Sequence, residues 1–431
     1  MEDQLKNISN AFSLVLDSLI DGEQYELLPP KGPVDLPLPS VSDQELDAID
    51  QDIYGQDERE EIGGISDVNG IKLVESHEIK KIVLPSEEQL NGLNIIGISG
   101  TNNRILTTSF HLILAQSSIV NFKYTKGFEK PYFYTKSRSA SAILVLDNNI
   151  FENTYSVHTY NDLVGESNKF PILDHLTKNQ AKPFRFKYDH EKSKKAPNSQ
   201  SLGLAVKFQH ALELASIIDT EIDSDGTIIC IKDGALFSNS SEQSDVKNGL
   251  RKLLAWSGKK KMFISISSKV SESRVIIKTL SSQPHLIQDY FPNQGINEGT
   301  IAAFGTDVLL LKKILKPGYR TPLIEYIEKT REGIIKEPGL EGLKPLTCYY
   351  HKRSKPYNFV RLEIPKFMWE ENQALAEFAI LIAIWQYELG GDKPLVIKAA
   401  SERCALDHDK WVIEQQMKAA FDKKNLELVE F

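Results

Sequence analysis

A mixed α/β fold is what this sequence predicts, on three observations. Apolar, β-branched runs follow one another early in the body of the chain. Helical patterns then alternate with short apolar strands. No self-similar repeat of about 20–50 residues, the mark of a solenoid or propeller, is present. The strand-after-strand opening implies an antiparallel meander, and the later alternation implies helices laid on the faces of a sheet.

Each element follows from local pattern. Leu93 to Ile98 (LNIIGI) is a short apolar run that stops at Ser99-Gly100, as a buried strand would. Ile105 to Phe122 continues in β-branched residues, and Ala142 to Leu146 is a further strand turning at Asp147-Asn148-Asn149. Residues 182–200 are polar and basic and read as a loop. Ser201 to Ile218 predicts a helix with Leu204, Phe208, Leu212 and Ala215 on one face. Thr227 to Ile231 is an apolar strand ending at Asp233-Gly234, Val246 to Ala255 is helical, and Met262 to Ile266 is the next strand. The run 374–389 is helical and apolar nearly all round, so it is either central to the core or an interface between subunits.

Ahead of this body, residues 1–65 form a separate segment. Leu5, Ile8, Phe12, Leu16 and Ile20 fall on one helical stripe, and Asp21-Gly22 ends it. Five prolines between positions 29 and 39 then exclude helix or central strand. Val41 to Ile62 holds nine acidic residues and one basic, with Leu46, Ile49 and Ile53 spaced for a weak helix. The segment reads as an N-terminal helical arm with an acidic, proline-rich linker, either solvated or docking on a partner or second copy. Residues 66–431 are the folded domain.

Composition narrows the function. The 431 residues are 41% hydrophobic, enough for a sizeable core. A net charge of −8 excludes a globally basic nucleic-acid clamp but leaves a local basic groove open. Cys230, Cys348 and Cys404 are far apart and form no CxxC pair, which fits a reducing, cytoplasmic setting. Met1 to Leu19 lacks a signal peptide's basic start and apolar run, and no apolar stretch reaches about 18 residues, so no membrane partner is expected.

The acidic residues around the TIICI strand are the first candidate for chemistry. Glu213 lies on the preceding helix, Asp219, Glu221, Asp223 and Asp225 line the turn, and Asp233 ends the strand. A carboxylate at a strand's C-terminal end faces the crevice where open α/β sheets bind ligands. Two such groups suit a hard divalent cation, which prefers oxygen ligands and activates water for phosphate hydrolysis. The alternative is that Asp219 to Asp225 is a solvated turn and Asp233-Gly234 merely begins another.

In the order of its motifs, the span 90–425 resembles the NurA nuclease family. Gly97-Ile98-Ser99-Gly100-Thr101-Asn102-Asn103-Arg104 matches G-x-D-G-S-x-x-R after the first strand. Glu213 in HALELA and Asp233-Gly234-Ala235-Leu236 match a helical Glu followed by a strand ending in D-G-x-L. Ser268 to Arg274 (SKVSESR) matches a K-x-S-x-S-R-like segment, and Arg361-Leu362-Glu363-Ile364-Pro365 matches R-x-E-x-P. Pro394-Leu395 to Ala400 aligns loosely with the family's last segment. Two departures stand out: Ser99 replaces the family's first-strand Asp, and Lys398 to Ser401 contains no His.

The resemblance implies a ribonuclease-H-like mixed sheet flanked by helices. It also implies a metal-dependent DNA nuclease, working 5′ to 3′ on DNA ends with a HerA-like hexameric ATPase and forming a homodimer. Asp233 and Glu213 would then ligate Mn2+ or Mg2+, with Ser99 as the third catalytic position. The loss of the Asp carries the alternative reading, an inactive NurA-like adaptor that binds DNA and docks on the ATPase in repair or anti-phage defence.

Nucleic-acid contacts are expected in two basic, aromatic segments. One is 182–195, with Lys182, Arg185 and Lys187 beside Phe184, Phe186 and Tyr188. The other is 349–361, with Lys352, Arg353 and Arg361 among Tyr349, Tyr350, Tyr357 and Phe359. Alternating cations and rings suit single strands, since cations meet phosphates while rings stack on bases. Each segment would equally suit an edge strand that uses its charges against aggregation. Lys269 and Arg274 follow a strand near the crevice, and Arg104 closes the first motif, so all three are also assigned to nucleic acid. Lys259-Lys260-Lys261 reads as a solvated helix end, and no histidine pair has zinc-ligand spacing.

Overall fold

The computed structural model describes residues 72–74, 79–106, 110–125, 132–149, 154–160, 184–187, 209, 213, 226–236, 261–268, 270, 274–282, 284, 287, 295–301, 303–325, 340–353 and 358–403. Of residues 103–106, 110–116, 132–149, 154–160 and 184–187, the backbone alone is described. The arm at 1–65 and the helix at 246–255 lie outside these residues, as does the helix at 201–218 apart from Gln209 and Glu213.

The described residues build one 13-stranded mixed sheet. Its heart is β3 (Asn94–Leu106), β4 (Phe110–Thr125) and β5 (Tyr132–Asn149), an antiparallel meander. On the other side of β3 lie β8 (Ile228–Asp233) and then β9 (Lys261–Ser267), both parallel to it. β12 (Pro345–His351) and β13 (Phe359–Pro365) form a hairpin that pairs antiparallel with β9 through β13. β6 (Thr154–Tyr160) and β7 (Phe184–Lys187) extend the meander's far side. On the hairpin side, β1 (Lys72–Leu73) pairs with β11 (Ile324–Glu325), and β2 (Lys80–Lys81) pairs with β10 (Tyr319–Arg320). The meander is as the sequence pattern predicted, although β3 runs on through Ser99-Gly100 to Leu106 and part of the expected 182–200 loop is β7.

The parallel strands are apolar on both sides because both sides are covered. Ile229, Cys230 and Ile231 in β8 have no exposed surface. One face carries α5 (Lys366–Glu371), α6 (Gln373–Gly390) and α7 (Leu395–Arg403), with α6 against β8 and β9 and α7 against β3 and β4. Ile380, Ile382, Ala383, Ile384 and Tyr387 of α6 are buried, which explains the helix's nearly continuous apolar character: it is core. A second apolar cluster packs α2 (Val275–Ser282) and α4 (Asp307–Ile314) against Tyr349 and Phe359 of the hairpin.

Contacts and register fix which face each residue serves. A Cβ on Gly97 would strike the backbone of Val396 in α7. A Cβ on Gly100 would strike Glu213 and Gln209. Since successive strand residues point to opposite faces, Gly97 and Ser99 share the α7 face, while Ile98 and Gly100 share the face of Glu213.

A buried ion row at the carboxyl end of β8

β8 ends at Asp233, where Gly234 turns the chain at φ +82°. The three positions expected to act together are divided here. Ser99 is buried, and its Oγ lies 2.8 Å from Oγ of Ser401 on α7. Asp233 points to the same face, partly exposed, with Lys393 Nζ 2.9 Å from its Oδ2. Glu213 sits on the opposite face. It is buried, its Oε1 accepts a hydrogen bond from Gln209 Nε2 at 3.0 Å, and its Oε2 lies 3.5 Å from Lys232 Nζ. The alternation of β8 forces this separation, because Lys232 and Asp233 are consecutive strand residues.

Lys232 anchors the larger arrangement. Its buried ammonium also donates to the carbonyls of Asp233 at 2.9 Å and Ala235 at 3.3 Å, so it braces the turn as well as Glu213. Register places Lys232 beside Ser265 of β9, and Ser265 beside Glu363 of β13. Glu363 accepts from the Leu236 backbone N–H at 2.9 Å and lies 3.3 Å from Arg361 Nε. Two carboxylates and two cations are thus buried on one face around the 233–236 turn. Gln209 adds a link to β3 by accepting from Asn102 Nδ2 at 2.6 Å.

These residues do not fit a divalent cation. Such an ion needs several oxygens carrying free lone pairs, whereas an amide donor and an ammonium face Glu213, and a second ammonium faces Asp233. Among the described residues no three of His, Cys, Asp and Glu gather as a metal site. Ser99 and Ser401 meet where the resemblance would place an Asp and the terminal segment, a neutral pair with little attraction for a cation.

The expected nucleic-acid residues divide too. Arg104, Arg185 and Lys187 lie in β3 and β7, of which the backbone is described there, and Lys182 and Lys269 are outside the described residues. Arg274 is half-buried just before α2. Arg353 is exposed. Lys352 and Arg361 need correction: both are buried, so neither offers a phosphate contact in this fold. Lys352 Nζ donates to the carbonyls of Tyr387 and Gly391 at the end of α6 and lies over the Tyr387 ring. Nor is the 349–361 segment an edge strand, because β12 and β13 are interior and buried along their whole length. A cation–aromatic alternation has the same period as a strand buried on both faces, so sequence pattern does not separate the two.

Sequence reasoning passed over Lys232, Gln209, Asn102, Lys393 and Ser401. Lys232 left a trace, a lone cation inside the apolar run TIICIKD. Lys393 left none, since it reaches Asp233 from 160 residues away.

No helix among the described residues is long and apolar enough to cross a membrane. No protein-family model matches the chain, and no curated protein does. Among solved structures it is similar to the NurA nuclease from Sulfolobus solfataricus, with TM-score 0.39 and 11% identity over 89% of this chain and 95% of that one. It is also similar to a structure of NurA bound to dAMP and manganese, with TM-score 0.24 and 10% identity over 84% of this chain and 93% of that one.

Proposed function

We propose that the protein is a NurA-like DNA-processing component that acts on DNA ends with a HerA-like hexameric ATPase, as an adaptor without hydrolysis at the β8 site. The sequence motifs and their order support the NurA-like part. The sheet's centre supports a ribonuclease-H-like reading, with three antiparallel strands followed on one side by two parallel ones. The observation that carries the adaptor form is the pairing of both acids with ammonium groups on opposite faces of β8. DNA contact, docking on the ATPase and a homodimer belong to the same proposal.

A second reading, the Mn2+- or Mg2+-dependent nuclease, is favoured by the position of Asp233 at the carboxyl end of a parallel strand. Incubating the purified protein with a labelled linear duplex and Mn2+ decides between them. The adaptor releases no nucleotides and still retains single-stranded DNA. Release that Asp233→Ala abolishes would establish the nuclease instead.

A further inference from the structure

We infer that the acidic segment Asp43–Glu61 docks on a basic and apolar patch around the Lys316–Tyr319 turn of the same chain. The patch is assembled from three parts of the fold. Lys313 lies in the last turn of α4, and Lys316 opens the turn by accepting from the Tyr319 N–H at 3.1 Å. Lys81 of β2 stands opposite Tyr319 of β10. Arg353 lies across Gly318, whose φ of +85° lets the turn pass beneath it, and its guanidinium donates to the Ile82 carbonyl. All four cations are exposed.

Apolar surface lies among these charges. Val83 and Leu84, next to Lys81 and Ile82, are 74% and 40% exposed. The neighbouring carboxylate, Glu388, lies on the Arg353 side of the patch, where it accepts from Tyr350 Oη at 2.6 Å and from the Arg353 backbone N–H at 2.8 Å, away from the three lysines. The surface therefore asks for a ligand that alternates acids with aliphatic side chains.

The chain carries such a ligand. Between 41 and 62, nine acids surround Leu46, Ile49 and Ile53, with one cation. The two are also close along the chain. The described fold begins at Lys72 in β1, eleven residues after Glu61, a stretch spanning at most roughly 37 Å. β1 pairs antiparallel with β11, which follows β10 after three residues, so Lys72, opposite Glu325, lies six positions along from Tyr319, roughly 20 Å and within the reach of that stretch. Tethering raises its local concentration to the millimolar range for short connections, on the order of what weak charge pairing needs.

Carbodiimide coupling of the full-length chain, run on a mixture of isotopically light and heavy protein, tests this. Amide links from acids of 43–61 to Lys81, Lys313 and Lys316 are expected within single copies. They should fall several-fold in about 1 M salt, where the screening length drops to about 3 Å. Lys313→Ser with Lys316→Ser, both at exposed positions, should reduce the links to Lys81 several-fold as well. Links joining light to heavy copies would assign the patch to a second molecule and overturn the proposal. Coupling elsewhere but not at these lysines would overturn it too, as would their protection by an added oligonucleotide without arm links. The outcome does not depend on whether the β8 site hydrolyses DNA.

Discussion

Two glycines and one lysine set the character of the β8 region. Gly97 and Gly100 let helices approach opposite faces of β3, but against different material: α7 backbone for the first, side-chain ends for the second. Backbone cannot swing aside, so Gly97→Ala should destabilise by about 1–3 kcal/mol, the range for overpacking, and Gly100→Ala by less. Urea unfolding of the two variants checks the ranking. Lys232 is the buried counter-charge of Glu213. Lys232→Met removes a buried cation from that carboxylate and should cost about 3–5 kcal/mol, whereas adding Glu213→Gln should restore much of the loss. A double-mutant cycle measures the coupling.

Among the elements, the short strand β11 is held by charge. Glu325 is buried between Lys344 and Lys366, with Lys366 Nζ 3.0 Å from its Oε2. Burial pushes its pKa up, but the hydrogen bonds and charges of the two lysines outweigh that and hold it below its ordinary 4.5. Lys366 is correspondingly raised above 10.5, chiefly by its hydrogen bond to Glu325. A lowered carboxylate pKa gives stability that is present above the ordinary value and lost as pH falls through the folded one. The lysine's share is present below 10.5 and lost as pH rises past it. Unfolding free energy should therefore decline on acidification from about pH 5, and Glu325→Gln should flatten that decline in denaturant titrations. At the end of α6, Lys352 performs the complementary task of placing a cation on the helix's last carbonyls, where the dipole favours it.

For the whole molecule, a net charge of −8 means that the DNA contact of the proposed function requires a segregated positive surface. Affinity for single-stranded DNA, measured by anisotropy, should then fall steeply and log-linearly with salt, with a slope of about −0.7 per phosphate contacted. Charge variants at Lys352 and Arg361 should leave that slope unchanged, because both are buried. The meander, the strands β8 and β9 and the helix α6 were legible in sequence because their apolar runs are long and have one period. The site was half legible: a carboxylate at the end of an apolar strand is a local pattern, but the charge standing against it is not.

What the chain's own order of residues determined was the class of fold, the place of Asp233 at the end of an apolar strand, and the presence of Glu213 in the segment before it. Only the folded sheet decided that these acids face opposite sides, because strand alternation turns consecutive residues apart. It likewise recruited Lys393 and Ser401 from the far end of the chain and drew Lys352 and Arg361 inward. Partners that meet across more than a hundred residues leave no periodicity behind them, which is why the electrostatics belonged to the tertiary structure alone.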